Sequence, residues 1–116
     1  MRNTPKMEFK HTLNTLTETL KILNKVDLIE SYEDFSKNFA DRSSGWLSYQ
    51  IHKNRDFGIE TAINALKETR RVKTFYLGKR QRLGSLVDDT IEALEQVERL
   101  IQAHLEEQYD IIQIKQ

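Results

Sequence analysis

Apolar residues recur every three or four positions along most of this chain. The clearest stripe consists of Phe9, Leu13, Leu16, Leu20 and Leu23. Because an α-helix turns once every 3.6 residues, this spacing places all five side chains on one face of a helix. Only four glycines and one proline are present to interrupt such helices. We therefore expect an all-α fold in one domain spanning residues 1–116.

Capping residues and shifts of apolar phase divide the chain into five to six predicted helices. Serines that can cap a helix N-terminus occur at Ser31, at Ser43 or Ser44, and at Ser85. The predicted helices cover about residues 8–25, 32–40, 45–53 and 57–67, a further stretch ending at Gly78, and residues 86 to beyond 105. A bend is expected near Thr69, and residues 79–84 are expected to form a glycine-bounded basic linker. The tail Ile111-Ile112-Gln113-Ile114 can form a short extended segment.

The C-terminal helix, placed within residues 85–110, carries the longest apolar stripe. Its members are Val87, Ile91, Leu94, Val97, Leu100, Ile101 and Leu105. A helix of about 20 residues is about 30 Å long, more than a small helical unit can cover. Either a second copy covers the stripe at Leu94, Val97, Ile101 and Leu105, or the helix folds back on Leu13, Leu16 and Leu20 of its own chain. We favour the homodimer, because two-fold contacts are the commonest assembly of one chain type.

Charge is distributed in blocks although the net charge is zero. Residues 1–66 contain nine basic and nine acidic side chains. Residues 67–82 contain seven basic side chains and one acidic side chain, and residues 83–116 contain two basic and eight acidic side chains. The block charges are therefore 0, +6 and −6. The basic block, within a connector at residues 67–84, either meets a polyanion or pairs with the acidic C-terminal helix.

Several classes of function lack their sequence signatures. The chain has no cysteine, which excludes disulfides and thiolate metal sites. His11, His52 and His104 are not at metal-ligand spacing, and there is no glycine-rich phosphate loop or GxSxG motif. We therefore expect no catalytic residue, no metal and no cofactor. The chain also has no apolar stretch near the roughly 18 residues of a membrane span, so we expect a cytoplasmic protein without a membrane partner.

Residues 31–66 form a helix-turn-helix unit in this interpretation, and the pattern resembles a known family. The residues that carry the resemblance are Phe35-Ser36, Ala40, Ser43-Ser44, Leu47, Ile51, Ile59, Ile63 and Leu66. They resemble the helix-turn-helix of phage repressors of the Cro-like, XRE type. The segment is also similar to small bacterial proteins with a Phe-Ser…Gly-Arg-Ser…Tyr-Leu pattern. It departs from the repressor family in a turn one residue longer and in lacking a glycine before the turn.

The resemblance implies a transcriptional regulator that binds double-stranded DNA as a homodimer. The second helix of such a unit reads the major groove. The expected DNA-binding residues are Ser44, Ser48, Tyr49, Gln50, His52, Lys53 and Arg55, with Arg70, Arg71, Lys79, Arg80 and Arg82 holding the backbone. The alternative is a protein-interaction module or small inhibitor that keeps a degenerate helix-turn-helix scaffold and binds a protein through its long amphipathic helix. The near-neutral pI of 6.8 favours this alternative.

Overall fold

The structure, a computed structural model, describes residues 14–111. Helix α1 comprises Thr15–Lys25, α2 Tyr32–Asn38, α3 Trp46–His52, α4 Ile59–Leu83 and α5 Asp88–Tyr109, and a 3₁₀ turn at Gly84–Val87 joins α4 to α5. No strand occurs in this part of the chain, so the predicted all-α fold with a long C-terminal helix is confirmed. Because the 3₁₀ turn that reverses the chain leaves no gap between α4 and α5, residues 14–111 contain four runs of helical residues, and by this count four helices, not the five to six predicted.

Helix α1 begins with a capping box at Asn14. The side chain of Asn14 accepts a hydrogen bond from the backbone N–H of Thr17 (2.9 Å), and the Thr17 hydroxyl accepts one from the backbone N–H of Asn14 (3.1 Å). This reciprocal pair satisfies two N–H groups that a helix start leaves unpaired. Residues 8–13 of the predicted first helix and Ile112–Ile114 of the predicted extended tail lie outside the described residues.

The predicted unit at residues 31–66 folds as three helices around a shared core. Phe35, Phe39, Leu47 and Leu66 are buried, and Ile51 and Ile63 pack against them from partly buried positions. The Phe35 ring stacks on that of Phe39 (5.4 Å between centroids). The Trp46 ring also stacks on the Phe35 ring, with 6.5 Å between their centroids. The prediction that this segment contains three helices whose apolar residues share one core is therefore confirmed.

Helix α4 is continuous where a bend and a linker were predicted. Thr69 is fully buried, and its hydroxyl donates to the carbonyl of Ala65 (2.7 Å) within an unbroken helix. The apolar residues after Leu66 fall on a different face of α4 because this part of the helix is not covered by the core. Phe75 and Leu77, which lie on that face, are 53% and 45% exposed. Residues 79–83 belong to α4 as well, so the predicted basic linker was wrong.

Helix α5 lies antiparallel to α4 and also contacts α1. The four residues predicted to form a dimer interface, Leu94, Val97, Ile101 and Leu105, are all 0% exposed in a single chain. They pack in the core with Leu16, Leu20 and Leu23 of α1. The expected homodimer contact on this stripe was therefore wrong, because α1 and α4 already cover it. Ser85 lies in the 3₁₀ turn, and Val87, not Ser85, occupies the N-cap position of α5.

Within residues 14–111, no helix combines the length and apolar character that a membrane crossing requires.

Candidate nucleic-acid interface

The start of α3 is held by a buried serine of α2. Ser36 is 0% exposed, and its Oγ accepts a hydrogen bond from the backbone N–H of Leu47 (3.0 Å). The N–H groups in the first turn of a helix have no partner within that helix, so this hydroxyl supplies one. Gly45, the residue before α3, has no side chain that could do so. Ser36 therefore fixes α3 relative to α2.

The connection between α2 and α3 is fixed in its first half. Asp41 adopts a left-handed conformation (φ 55°), which Asp tolerates better than most residues. The side-chain amide of Asn64 donates to the carbonyl of Ala40 (2.9 Å), and Arg42 forms an ion pair with Glu60 (3.3 Å). Both contacts reach from α4 to the connection. Helices α2 and α4 thus hold α3 in one orientation.

Most of the residues predicted to contact nucleic acid on α3 face solvent. Those exposed are Ser44, Ser48, Tyr49, His52, Lys53 and Arg55. Gln50 is the exception: it is 9% exposed, and its side-chain amide donates to the backbone carbonyl of Asp56 (3.2 Å). Gln50 therefore braces the turn after α3, and its predicted role in base contact was wrong.

Tyr49 and two cations form a small cluster on the outer side of α3. The Tyr49 ring is half exposed, with Lys53 Nζ at 5.8 Å and Arg55 Cζ at 5.6 Å from its centroid. No ion pair joins either cation to a carboxylate of the described residues. Asp56, the nearest acid in sequence, turns inward and accepts from the backbone N–H groups of Thr15 and Leu16. This cluster therefore presents two positive charges and one ring to solvent.

The basic block of residues 67–82 is largely paired within the chain. Arg70 (3.1 Å) and Lys73 both bind Glu98 of α5, and Arg80 binds Asp88 (3.1 Å). Of the two interpretations of this block, the structure supports pairing with the acidic C-terminal helix.

Arg71 makes two hydrogen bonds to Glu68, at 2.8 and 2.7 Å. The hydrogen bonds and then the charge of Glu68 raise the pKa of the Arg71 guanidinium above its ordinary value. Arg70, Arg71 and Arg80 thus use much of their bonding capacity inside the chain and face an added cost if they are to bind phosphate.

Lys79 and Arg82 occupy the far half of α4. Lys79 Nζ lies 5.2 Å from the centroid of the exposed Phe75 ring, and Arg82 is exposed one turn further along. The turn after α3 leads directly into the N-terminus of α4, and Leu83 lies 24 residues beyond Ile59, about 36 Å along the axis. These two cations are therefore separated from the α3 cluster by most of the length of the molecule.

Comparison with known proteins places the chain in a family. Residues 16–112 match the model of a family of unknown function, DUF6626, which covers most of the sequence. No curated protein and no solved structure matches the chain significantly. The chain therefore belongs to the DUF6626 family.

Proposed function

We propose that this member of the DUF6626 family is a small DNA-binding protein, a regulator of transcription that contacts duplex DNA through α3. The observation that carries the proposal is the outer face of α3. Hydroxyl and imidazole groups of Ser48, Tyr49 and His52 are exposed there beside two cations, Lys53 and Arg55. Such side chains can bond to base edges and phosphates. The chain's lack of cysteine is in keeping with a cytoplasmic location.

The chemistry of the side chains on this face assigns them two different roles in the proposed contact. Lys53 and Arg55 follow the end of α3 and would hold backbone phosphates, since cations are attracted to any duplex regardless of sequence. Ser48 and His52 would supply sequence preference, because only contacts to base edges distinguish one base pair from another. A homodimer that binds two half-sites would need a surface other than the buried α5 stripe.

A mobility-shift assay with random duplex DNA at low and high salt tests the proposal. Replacing Lys53 and Arg55 by Ala should weaken binding to every duplex. The slope of log affinity against log salt should fall by roughly 0.9 for each phosphate that the variant no longer neutralises. Replacing Ser48 and His52 by Ala should instead lower sequence preference while leaving the salt dependence unchanged.

A matched control removes the same charge elsewhere. Lys21 and Lys25 are exposed on α1, so replacing both by Ala lowers the net charge by the same amount. This variant should bind DNA nearly as well as the parent chain. If the parent shows no shift at low salt, or if both double variants lose binding equally, the α3 contact is rejected.

A further inference from the structure

A shallow apolar groove lies on α4, away from α3. It has a volume of about 240 Å³ and is lined by Leu28, Arg71, Val72, Phe75 and Tyr76. We call it the α4 groove. Its volume is below the roughly 300–1,000 Å³ of small-molecule sites. The space therefore suits one or two side chains of a protein segment better than a metabolite.

Large apolar side chains of the groove, of the end of α4 and of the turn after it remain exposed. Phe75 is 53%, Leu83 43% and Leu86 81% exposed. Leu83 follows Tyr76 by seven residues, or two helical turns, and so lies on the same side of α4. An exposed apolar patch of this kind on a folded chain commonly marks an interaction site.

Positive charge borders the groove along α4. Lys79 lies over the Phe75 ring, and Arg82, seven residues after Phe75, lies on the same side of the helix. Arg71 lines the groove itself, but its guanidinium is already paired with Glu68. On the opposite side, Asp27 and Glu30 flank Leu28 but already have partners within the chain. The available charge is therefore basic, which favours a segment with acidic residues.

We propose that the α4 groove docks a short acidic segment of another protein. The segment would bury a bulky apolar side chain against Val72, Phe75 and Tyr76. Its carboxylates would pair with Lys79 and Arg82. An amphipathic helix with one acidic edge meets both requirements. This surface is independent of the DNA contact, because Phe75 lies about 24 Å beyond the start of α4 along its axis.

Segments of this chain match the groove less well. Residues 1–13 contain three basic side chains and one acidic side chain, and residues 112–116 contain one basic and no acidic side chain. A second copy offers the exposed acids Asp89, Glu92 and Glu95 on α5. However, the large apolar side chains near those acids on α5 are buried in its own core. Neither source presents an apolar anchor and several acids on one helix, since the exposed Leu86, three residues before Asp89, lies in the 3₁₀ turn.

Selection from a displayed library of short random peptides on the folded full-length chain tests this proposal. Enriched peptides should carry Leu, Ile, Phe or Trp within one helical turn of Asp or Glu. In fluorescence anisotropy, Phe75→Ala should weaken their binding about tenfold or more, as expected for an anchor side chain. The double variant Lys79→Glu, Arg82→Glu should weaken it as well, and added salt should weaken binding to the parent chain.

Two control variants separate this site from others. Ile59 is 44% exposed at the opposite end of α4, so Ile59→Ala removes an exposed apolar side chain without touching the groove. Tyr49→Ser alters the proposed DNA face alone. Both should leave peptide affinity unchanged, whatever the outcome of the DNA experiment.

Four results would overturn the proposal. The first is that the parent chain enriches no peptides beyond those enriched by the Phe75→Ala chain. The second is that the enriched peptides are basic. A concentration-dependent dimer in sedimentation that Phe75→Ala abolishes would assign the groove to a second copy. Binding to anionic lipid vesicles that requires Phe75 and Lys79, without acidic peptide binding, would assign it to a membrane surface.

Discussion

The Asp56 carboxylate connects the turn after α3 to the start of α1. One oxygen accepts from the backbone N–H of Leu16 (2.8 Å) and of Phe57 (2.8 Å), and the other accepts from Thr15 (3.1 Å). His104 Nδ1 lies 3.6 Å from the same carboxylate, and His104 Nε2 lies 3.0 Å from the carbonyl of Phe57. A carboxylate at a helix N-terminus is stabilised by the helix dipole. The Asp56 carboxylate thereby fastens the turn after α3 to the start of α1, while the contact with α5 is made by the neighbouring Phe57 carbonyl.

Replacing Asp56 should therefore destabilise the whole fold. We expect Asp56→Asn to lower the free energy of unfolding by about 1–2 kcal/mol, since the charge near two helix N–H groups is removed. Asp56→Ala should cost more, because those N–H groups then have no acceptor. Urea denaturation at neutral pH measures both changes. Asp89→Asn, an exposed acid in the first turn of α5, serves as the control; an equal loss of stability there would contradict the role of Asp56.

Residue roles on α3 could be predicted only where they depend on local periodicity. The exposed positions of Ser48, Tyr49 and His52 follow from the spacing of Leu47 and Ile51 around a helix. The inward turn of Asp56 could not be predicted, because its partners Thr15 and Leu16 lie about 40 positions away. Gln50 turns inward as well, to donate to the carbonyl of Asp56. An acid four residues after a short helix gives no signal of such a contact.

At the scale of elements, α4 shows how an apolar pattern misleads. The shift of apolar phase after Leu66 predicts a bend if every apolar residue must be buried. In the structure the N-terminal half of α4 packs in the core, whereas Phe75 and Leu77 stay exposed on the same continuous helix. Likewise the basic residues 79–83 remain helical, and Arg80 binds Asp88 across the turn. The existence of the helices could be predicted, but not the boundaries that depend on such tertiary contacts.

Replacing Gly78 and Gly84 by alanine should change the stability of the chain in opposite directions. Gly78 lies inside α4 with open space around it, so Gly78→Ala should stabilise the chain by about 0.5–1 kcal/mol. Gly84 ends α4 with φ at +58°, a left-handed conformation that alanine disfavours. Gly84→Ala should therefore destabilise the chain by roughly 1–2 kcal/mol. Thermal unfolding monitored by circular dichroism tests both changes. Higher stability in both variants would contradict a continuous α4 that ends at Gly84.

At the scale of the whole molecule, the charge blocks and the long apolar stripe serve mainly the fold of one chain. Glu98 pairs with Arg70 and Lys73, which joins the −6 and +6 blocks along the α4–α5 pair. The α5 stripe closes the core against α1 and α4. The sequence shows both features, but it does not show whether the same chain or a second copy satisfies them, because one stripe fits either partner. Within residues 14–111, the surfaces that we propose for partners are the α3 face and the α4 groove.

Leu94 provides the sharpest test of that conclusion. Its side chain is fully buried in the single chain between the helices that α5 contacts. Leu94→Ala should lower the free energy of unfolding by about 2–5 kcal/mol through the cavity it leaves. Leu94→Lys should abolish cooperative unfolding, because the charge would be buried without a partner. An interface residue would behave differently: Leu94→Lys would then leave a folded 13.7 kDa monomer where the parent chain sediments as a dimer. Circular dichroism combined with sedimentation distinguishes the two, and a well-folded Leu94→Lys monomer would show that α5 is covered by a second copy.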